Sequence, residues 1–281
     1  MDFVTLSNGV KMPQIGYGVF LIDNAQCERL VLEAIDVGYR HINTAQAYYN
    51  EEGVGAAVAK CGVPREELFI TTKVWVANAG YEKACASIDE SLKKLQTPYV
   101  DLLLVHQPFG DYYGTYRAII EAYKAGKTRA IGVSNFYGDR LADICRFGEV
   151  VPMVDQLETH VFSQRKEMCE ILQKHDVALT AWAPLAQGKN EIFTHPVLTA
   201  IGKEHGKSAS QVALRFLVQN GVTVIPKSSS PERMKENFEI FDFELSAAEM
   251  TRIEALDTGE NLIFDHQKAQ NVEMFFDRFG L

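Results

Sequence analysis

The sequence is poor in the features that most quickly give away a chemistry. Cysteine is scarce: five residues, at 27, 61, 85, 145 and 169, odd in number, far apart and never in C-x-x-C spacing. That excludes a disulfide framework, a thiolate zinc site and a dithiol redox pair, and leaves reduced structural thiols of a cytoplasmic protein as the expectation. No H-E-x-x-H occurs, so no metal is expected. Positive charge is in deficit, 28 Lys and Arg against 37 Asp and Glu for a net charge of −9, which argues against a nucleic-acid surface. No apolar run approaches the ~18 residues of a membrane span. The opening residues Met1–Leu6 lack a basic region leading into an apolar one, so no signal peptide is expected. No Pro/Gly/Ser-rich linker divides the chain, and residues 1–281 read as one domain. No heptad pattern or long edge strand calls for assembly, so a monomer is expected.

What is present is apolar and periodic. Among 281 residues, 47% are hydrophobic, with 16 Phe and 11 Tyr, enough for a sizeable core. Asn8-Gly9 between apolar neighbours signals a β-hairpin. Eight short β-rich runs follow: 14–18, 39–43, 69–73, 100–105, 130–133, 153–156, 178–181 and 222–225. Amphipathic segments of helix length separate them. Cys27, Leu30, Val31, Ala34 and Ile35 repeat at helical spacing, and 81–95 and 211–220 read the same way. Eight strands alternating with helices predict a (β/α)8 TIM barrel, with the hairpin closing its bottom. The rival, a doubly wound sheet, would carry G-x-G-x-x-G after its first strand. Gly16-Tyr17-Gly18-Val19-Phe20-Leu21 lacks the third glycine.

A barrel of this kind gathers its chemistry at the C-terminal ends of its strands. Here those ends are polar. The second run ends in Asn43, with Tyr48 five residues on. The third ends in Lys73 and the fourth in His106. The fifth is followed by Ser134-Asn135, the sixth ends in Gln156, the seventh runs into Trp182, and the eighth ends in Pro226-Lys227. One Lys or His after an apolar run is usually a solvated strand end. Six such endings on one rim are better read as a site.

These segments resemble the aldo-keto reductases. Gly38–Tyr48, Ile70–Trp75, Leu103–Pro108, Gly132–Phe136 and Val224–Ser228 are similar to that family's segments, in its order, across nearly the whole chain. The resemblance implies reduction of an aldehyde or ketone by hydride from NADPH, with no metal. It implies Tyr48 as proton donor, Lys73 as the ammonium that lowers the phenol pKa from about 10, and His106 as the group that orients the carbonyl oxygen. Tyr49 is an aromatic neighbour, but only Tyr48 has the family's offset. The family normally carries Asp at the Asn43 position, where it pairs with the Lys and meets the nicotinamide ribose. Asn keeps the shape and an acceptor but lacks the charge, so binding is expected to persist and the chemical step to slow.

The resemblance also implies a cofactor site. Lys227, Ser228, Ser229 and Arg233 would hold the 2′-phosphate of NADPH, with Glu236 and Asn237 toward the adenine and NADPH preferred over NADH. The loop Lys227–Asn237 carries its own signal, since Ser230 as N-cap and Pro231 at the first position predict a helix whose start suits phosphate. Ser134, Asn135 and Gln156 would meet the carboxamide, with Trp182 flat on the nicotinamide. Ala183, Pro184, Leu185 and Gln187 would form a loop over the pyrophosphate, although the family often has Ser at the Ala183 position. Gly18, Val19 and Phe20 would flank the cofactor. Phe20, Tyr48, Trp75, His106 and Phe109 would line the substrate pocket. The C-terminal tail, 259–281, with Phe264, Phe275 and Phe276, lies either over the pocket or against the outer wall.

Two other function classes fit parts of the pattern. Asn43 suits an NADPH-binding barrel with little turnover, a redox sensor or an inactivated variant. Lys73 alone would suit a Schiff-base lyase, which has no use for the 227–237 loop. Small aldehydes, keto-sugars, α-dicarbonyls and larger ketones all remain open as substrates.

Overall fold

A computed structural model describes residues 2–280. The chain opens with a hairpin, β1 (Phe3–Thr5) and β2 (Lys11–Pro13), antiparallel with Val4 opposite Met12. Gly9 supplies the turn at φ +85°, a conformation that L side chains avoid. Asn8 Nδ2 donates to the carbonyl of Arg129, at the start of a barrel strand, and Met12 is buried. The hairpin therefore covers the N-terminal end of the barrel.

Strands and helices then alternate. β3 (Tyr17–Gly18) precedes α1 (Asn24–Val37), and β4 (His41–Asn43) precedes α2 (Glu51–Lys60). β5 (Phe69–Val74), α3 (Tyr81–Lys94), β6 (Val100–Val105), α4 (Tyr112–Lys124), β7 (Thr128–Ser134) and α5 (Gly138–Phe147) follow. The chain continues through β8 (Val154–Glu158), α6 (Lys166–Lys174), β9 (Ala178–Trp182), α7 (Pro196–His205) and α8 (Ala209–Gln219). β10 (Thr223–Val224), α9 (Pro231–Phe238), α10 (Ala247–Glu254) and α11 (Ala269–Phe279) complete it.

Strands β3 to β10 form one parallel sheet in sequence order. Its two ends meet. Ile15 bridges Val224 in parallel, Gly16 N–H donates to Val224 O at 2.8 Å, and Val224 N–H donates to Gln14 O at 2.9 Å. The closed sheet with helices around it is a (β/α)8 barrel. Gly18 sits at this seam, where a Cβ would come within 2.9 Å of the Ile225 carbonyl. Close approach of two backbones explains the glycine.

Strands β5 and β6 are buried on both faces, as a parallel sheet under helices requires. The one acid in β6, Asp101, is paired with Arg65 and Arg129 at 2.8 Å each. The observed β4 is shorter than the expected 39–43 run. Gly38, at φ +124°, ends α1, and Tyr39 N–H is taken by the Ala34 carbonyl rather than by a neighbouring strand. The tail, for which only a place over the pocket or on the outer wall was expected, carries a helix. Val272, Phe275, Phe276 and Phe279 share a face of α11, and Phe275 packs on Trp75 and Phe109.

Candidate active site

Strand geometry brings the expected residues together. Asn43 ends β4, and Lys73 lies near the end of the adjacent β5, with Asn43 in register with Thr71. The Lys73 ammonium is fully buried. It donates to Asn43 Oδ1 at 2.6 Å, to Thr44 O at 2.9 Å and to the Tyr48 hydroxyl at 3.2 Å. All three of its protons are thus used. It also lies 4.8 Å from the Tyr48 ring centre. Tyr48 meets His106 edge-on at 5.6 Å between ring centres. Its neighbour Tyr49 is left-handed at φ 55° and 82% exposed, which separates the two tyrosines cleanly.

Residues without an expected role hold Tyr48 in place. Asn50 is buried. It accepts from Thr44 Oγ1 and donates to the Val19 and Ile22 carbonyls, both at 2.9 Å. Gln46 accepts from the Trp75 N–H at 2.9 Å and donates to Ser91 Oγ at 3.1 Å. Glu51, at the start of α2, accepts from Thr72 Oγ1 at 2.6 Å and from Ser91 Oγ. Each of these residues resembles an ordinary helix-start polar group in sequence. Only the turn's short distance from Tyr48 hints at their part.

The electrostatics follow from burial and the missing acid. Burial lowers the Lys73 pKa to about 7, opposed by the negative charge of Glu51. With no carboxylate at 43, the negative charge that supports the ammonium is that of Glu51. Burial in turn holds the Glu51 carboxyl above its usual range, against the hydrogen bonds from Thr72 and Ser91. Burial, then Lys73, then His266 hold His106 well below the usual imidazole range, so it is neutral and has one N–H to donate. Burial holds the Tyr48 phenol above its ordinary value. Desolvation disfavours the phenolate, and the Lys73 ammonium at 3.2 Å opposes that while it is charged. The phenol is therefore a stored proton.

The rim residues divide into committed and free. Ser134 Oγ donates to Gln156 O at 2.8 Å. Asn135 donates to the His106 carbonyl and Ser134 Oγ, and accepts from Trp182 Nε1 at 2.8 Å. Among the buried polar atoms without a partner are Asn43 Nδ2, His106 Nδ1 and Gln156 Nε2. Buried polar groups are normally paired, so the two orphaned amide donors, at Asn43 and Gln156, fit a ligand with several acceptors. Beyond β9, Ala183, Ala186 and Gln187 all have φ near +50°, which is strained for residues with a side chain. Pro184 is buried and Leu185 half-buried in the same loop.

After β10, Lys227, Ser229 and Arg233 are exposed, and Ser228 and Asn237 are buried. Among the described residues neither Lys227 nor Arg233 joins an ion pair. Ser230 caps α9 by accepting from the Arg233 N–H, with Pro231 at the first position. Glu236 is tied to Ser208 Oγ at 2.5 Å. Two loose cations beside the N-terminus of a capped helix suit a phosphate.

The pocket mouth is aromatic. Phe20 meets Tyr48 at 5.0 Å, and Trp75 meets His106 at 5.1 Å. Phe275 of α11 closes on Trp75 at 5.5 Å and on Phe109 at 5.3 Å. Val19 is buried, with its N–H on the Asn43 carbonyl. A cavity of about 180 Å³ opens beside Asn135, lined by Tyr137, Arg140 and His266 among others. Among the described residues no cluster of His, Cys, Asp or Glu could hold a metal ion. Among the described residues no helix is long and apolar enough to cross a membrane.

The chain is similar to known proteins over nearly its whole length. The sequence model of the Aldo/keto reductase family matches residues 8–258. Glyoxal reductase of Bacillus subtilis is 46% identical over 263 residues, covering 93% of this chain and 95% of its own. Methylglyoxal reductase DkgA of Escherichia coli is 38% identical, covering 92% and 94%. A crystal structure of a Gox0644 variant in complex with NADPH superposes with a TM-score of 0.90 at 36% identity, covering 95% and 98%.

Proposed function

We infer the reaction from two premises: the chain belongs to the aldo/keto reductase family, and its barrel brings Lys73, Tyr48 and His106 together beside Asn43. It is an NADP-dependent oxidoreductase that reduces aldehydes or ketones to alcohols. The observation that carries the assignment of roles is the Lys73 ammonium bonded at once to Asn43, Thr44 and Tyr48.

NADPH supplies the hydride when bound. The residues present fit it. Orphaned Asn43 Nδ2 and Gln156 Nε2 would meet its ribose and carboxamide, Trp182 its ring, and Lys227, Ser228 and Arg233 its 2′-phosphate. Gly18, Val19, Phe20, the 183–187 loop, Ser229, Glu236 and Asn237 would complete the contact. Ser134 and Asn135 act chiefly by fixing Gln156 and Trp182, since their own side chains are already bonded.

The chain's own chemistry is proton delivery. Hydride addition leaves negative charge on the substrate oxygen. His106, neutral, donates a hydrogen bond to that oxygen and orients it. Tyr48 transfers its phenolic proton, and Lys73 stabilises the phenolate that forms, by charge and by a bond already 3.2 Å long. The favourable charge exists only while Lys73 is protonated. Asn43 therefore limits the rate and the pH range and leaves the reaction the same.

The substrate class proposed is small carbonyls, because Trp75, Phe109 and Phe275 crowd the mouth and glyoxal and methylglyoxal reductases are among the relatives. The working unit proposed is a cytoplasmic monomer with five free cysteines. The test is NADPH oxidation across a panel of carbonyls. Saturable turnover of small aldehydes supports the reading. Tight NADPH binding with no turnover on the panel would favour a sensor instead.

A further inference from the structure

One buried carboxylate has no part in proton delivery and yet is fully engaged. Glu158 ends β8, two residues past Gln156 and so on the same strand face. Its side chain is inaccessible to solvent. Oε1 accepts from the Leu262 N–H at 2.6 Å and the Ile263 N–H at 3.1 Å, and Oε2 accepts from the Phe264 N–H at 3.2 Å. His160 Nε2 lies 3.3 Å from Oε1. Three consecutive backbone amides converging on one anion form a nest. Here the anion belongs to the barrel and the nest to a tail a hundred residues downstream. Burial opposes ionisation of Glu158, but the bonds from His160, Phe264 and Leu262 outweigh it and hold the carboxyl below its usual range. Leu262 is gripped at its other end too, since Lys189 Nζ, from the loop after β9, donates to its carbonyl at 2.7 Å.

What this grip positions is the aromatic mouth. Immediately after the nest, Phe264 meets His266 edge-on at 4.7 Å, and His266 stacks on Phe109 at 5.9 Å. The chain then enters α11, whose Phe275 closes on Trp75 and Phe109. Trp75 faces His106. The other contacts of α11 with the mouth are aromatic as well: Phe276 meets Phe109 at 5.9 Å and Phe279 meets Trp75 at 5.2 Å. Aromatic contacts alone tolerate sliding, whereas three directed bonds to a buried charge fix register.

We propose that Glu158 is a positioning residue for substrate: by clamping the tail backbone at Leu262–Phe264 it sets the width of the aromatic mouth over Tyr48 and His106 and restricts the site to small aldehydes and dicarbonyls. This rests on the carbonyl-reductase reading for its consequence, though not for the clamp itself. Glu158→Gln keeps the shape but removes the charge and turns one acceptor into a donor facing the amides.

The experiment compares the full-length chain with Glu158→Gln, Phe275→Ala and the double variant. Amide exchange of 262–264, measured without substrate, is expected to be protected in the parent and at least tenfold faster in Glu158→Gln. The ratio of kcat/KM for 4-phenylbenzaldehyde over methylglyoxal is expected to rise about tenfold in either single variant. The double variant is expected to add nothing, with KM rather than kcat changing for methylglyoxal. NADPH affinity is expected to hold. Unchanged exchange in Glu158→Gln, or free exchange at 262–264 in the parent, overturns the clamp. A faster exchange with an unchanged ratio overturns its part in selectivity. Should Glu158→Gln fail to fold, parent exchange and Phe275→Ala still decide. Absence of NADPH-dependent reduction of both aldehydes sinks the reductase reading and leaves the exchange result standing.

Discussion

Restoring the acid in Asn43→Asp is expected to extend the pH range of the enzyme upward. The Asn43 oxygen lies 2.6 Å from Lys73 Nζ, so an Asp there places a full negative charge in contact with the ammonium. At an effective dielectric of about 20 the bare attraction is roughly 6 kcal/mol. Most of it is offset by burying another carboxylate, which costs several kcal/mol. An opposite charge at such range shifts a pKa by roughly one to three units, about 1.4–4 kcal/mol. Lys73 starts from about 7. Its ammonium is present below that pH and lost above it, so the rate in the parent falls as pH rises through neutrality. In Asn43→Asp the alkaline limb moves to about pH 8–10, and at pH 8 the chemical step gains about tenfold. The assay is single-turnover NADPH oxidation with methylglyoxal from pH 5 to 10, with NADPH affinity measured alongside. Superimposable pH profiles for the two proteins would refute the idea that charge at this position matters.

Two further outcomes follow from the same geometry. Glu51→Gln removes the negative charge that supports the Lys73 ammonium, so the alkaline limb is expected to move down in the parent and to move less in the Asn43→Asp background; equal shifts in both would show that the two acids act independently. Lys227→Ala and Arg233→Ala, exposed beside the start of α9, are each expected to raise KM for NADPH about tenfold and leave KM for NADH nearly unchanged, and steady-state kinetics with both cofactors checks this.

The barrel was legible because apolar runs bounded by turn residues recur eight times with helix-length amphipathic stretches between them. The site was legible for a related reason. A barrel exposes its strand ends, so Asn43, Lys73, His106 and Gln156 announced themselves by position. Tyr48 needed its five-residue offset to be told from Tyr49. The α11 helix was readable too, from Val272, Phe275, Phe276 and Phe279 at helical spacing, but the expectation stopped at aromatics of uncertain face. Glu158 could not be found in sequence. Its partners are backbone amides, which carry no residue-type signal, and they lie a hundred positions away. Glu51 resembled an ordinary acid in a helix first turn, and only burial against Thr72 and Ser91 shows otherwise. Desolvation of the Tyr48 phenol was not legible either, because neighbour charge is visible in a sequence and burial is not.

The central claim is that Tyr48 delivers the proton inside the Lys73 cluster. The most direct measurement is single-turnover reduction of methylglyoxal by Tyr48→Phe with NADPH bound. The account predicts normal NADPH affinity with a chemical step slowed by roughly 10²–10⁴-fold. A Tyr48→Phe protein that reduces methylglyoxal at the parent's rate would contradict it.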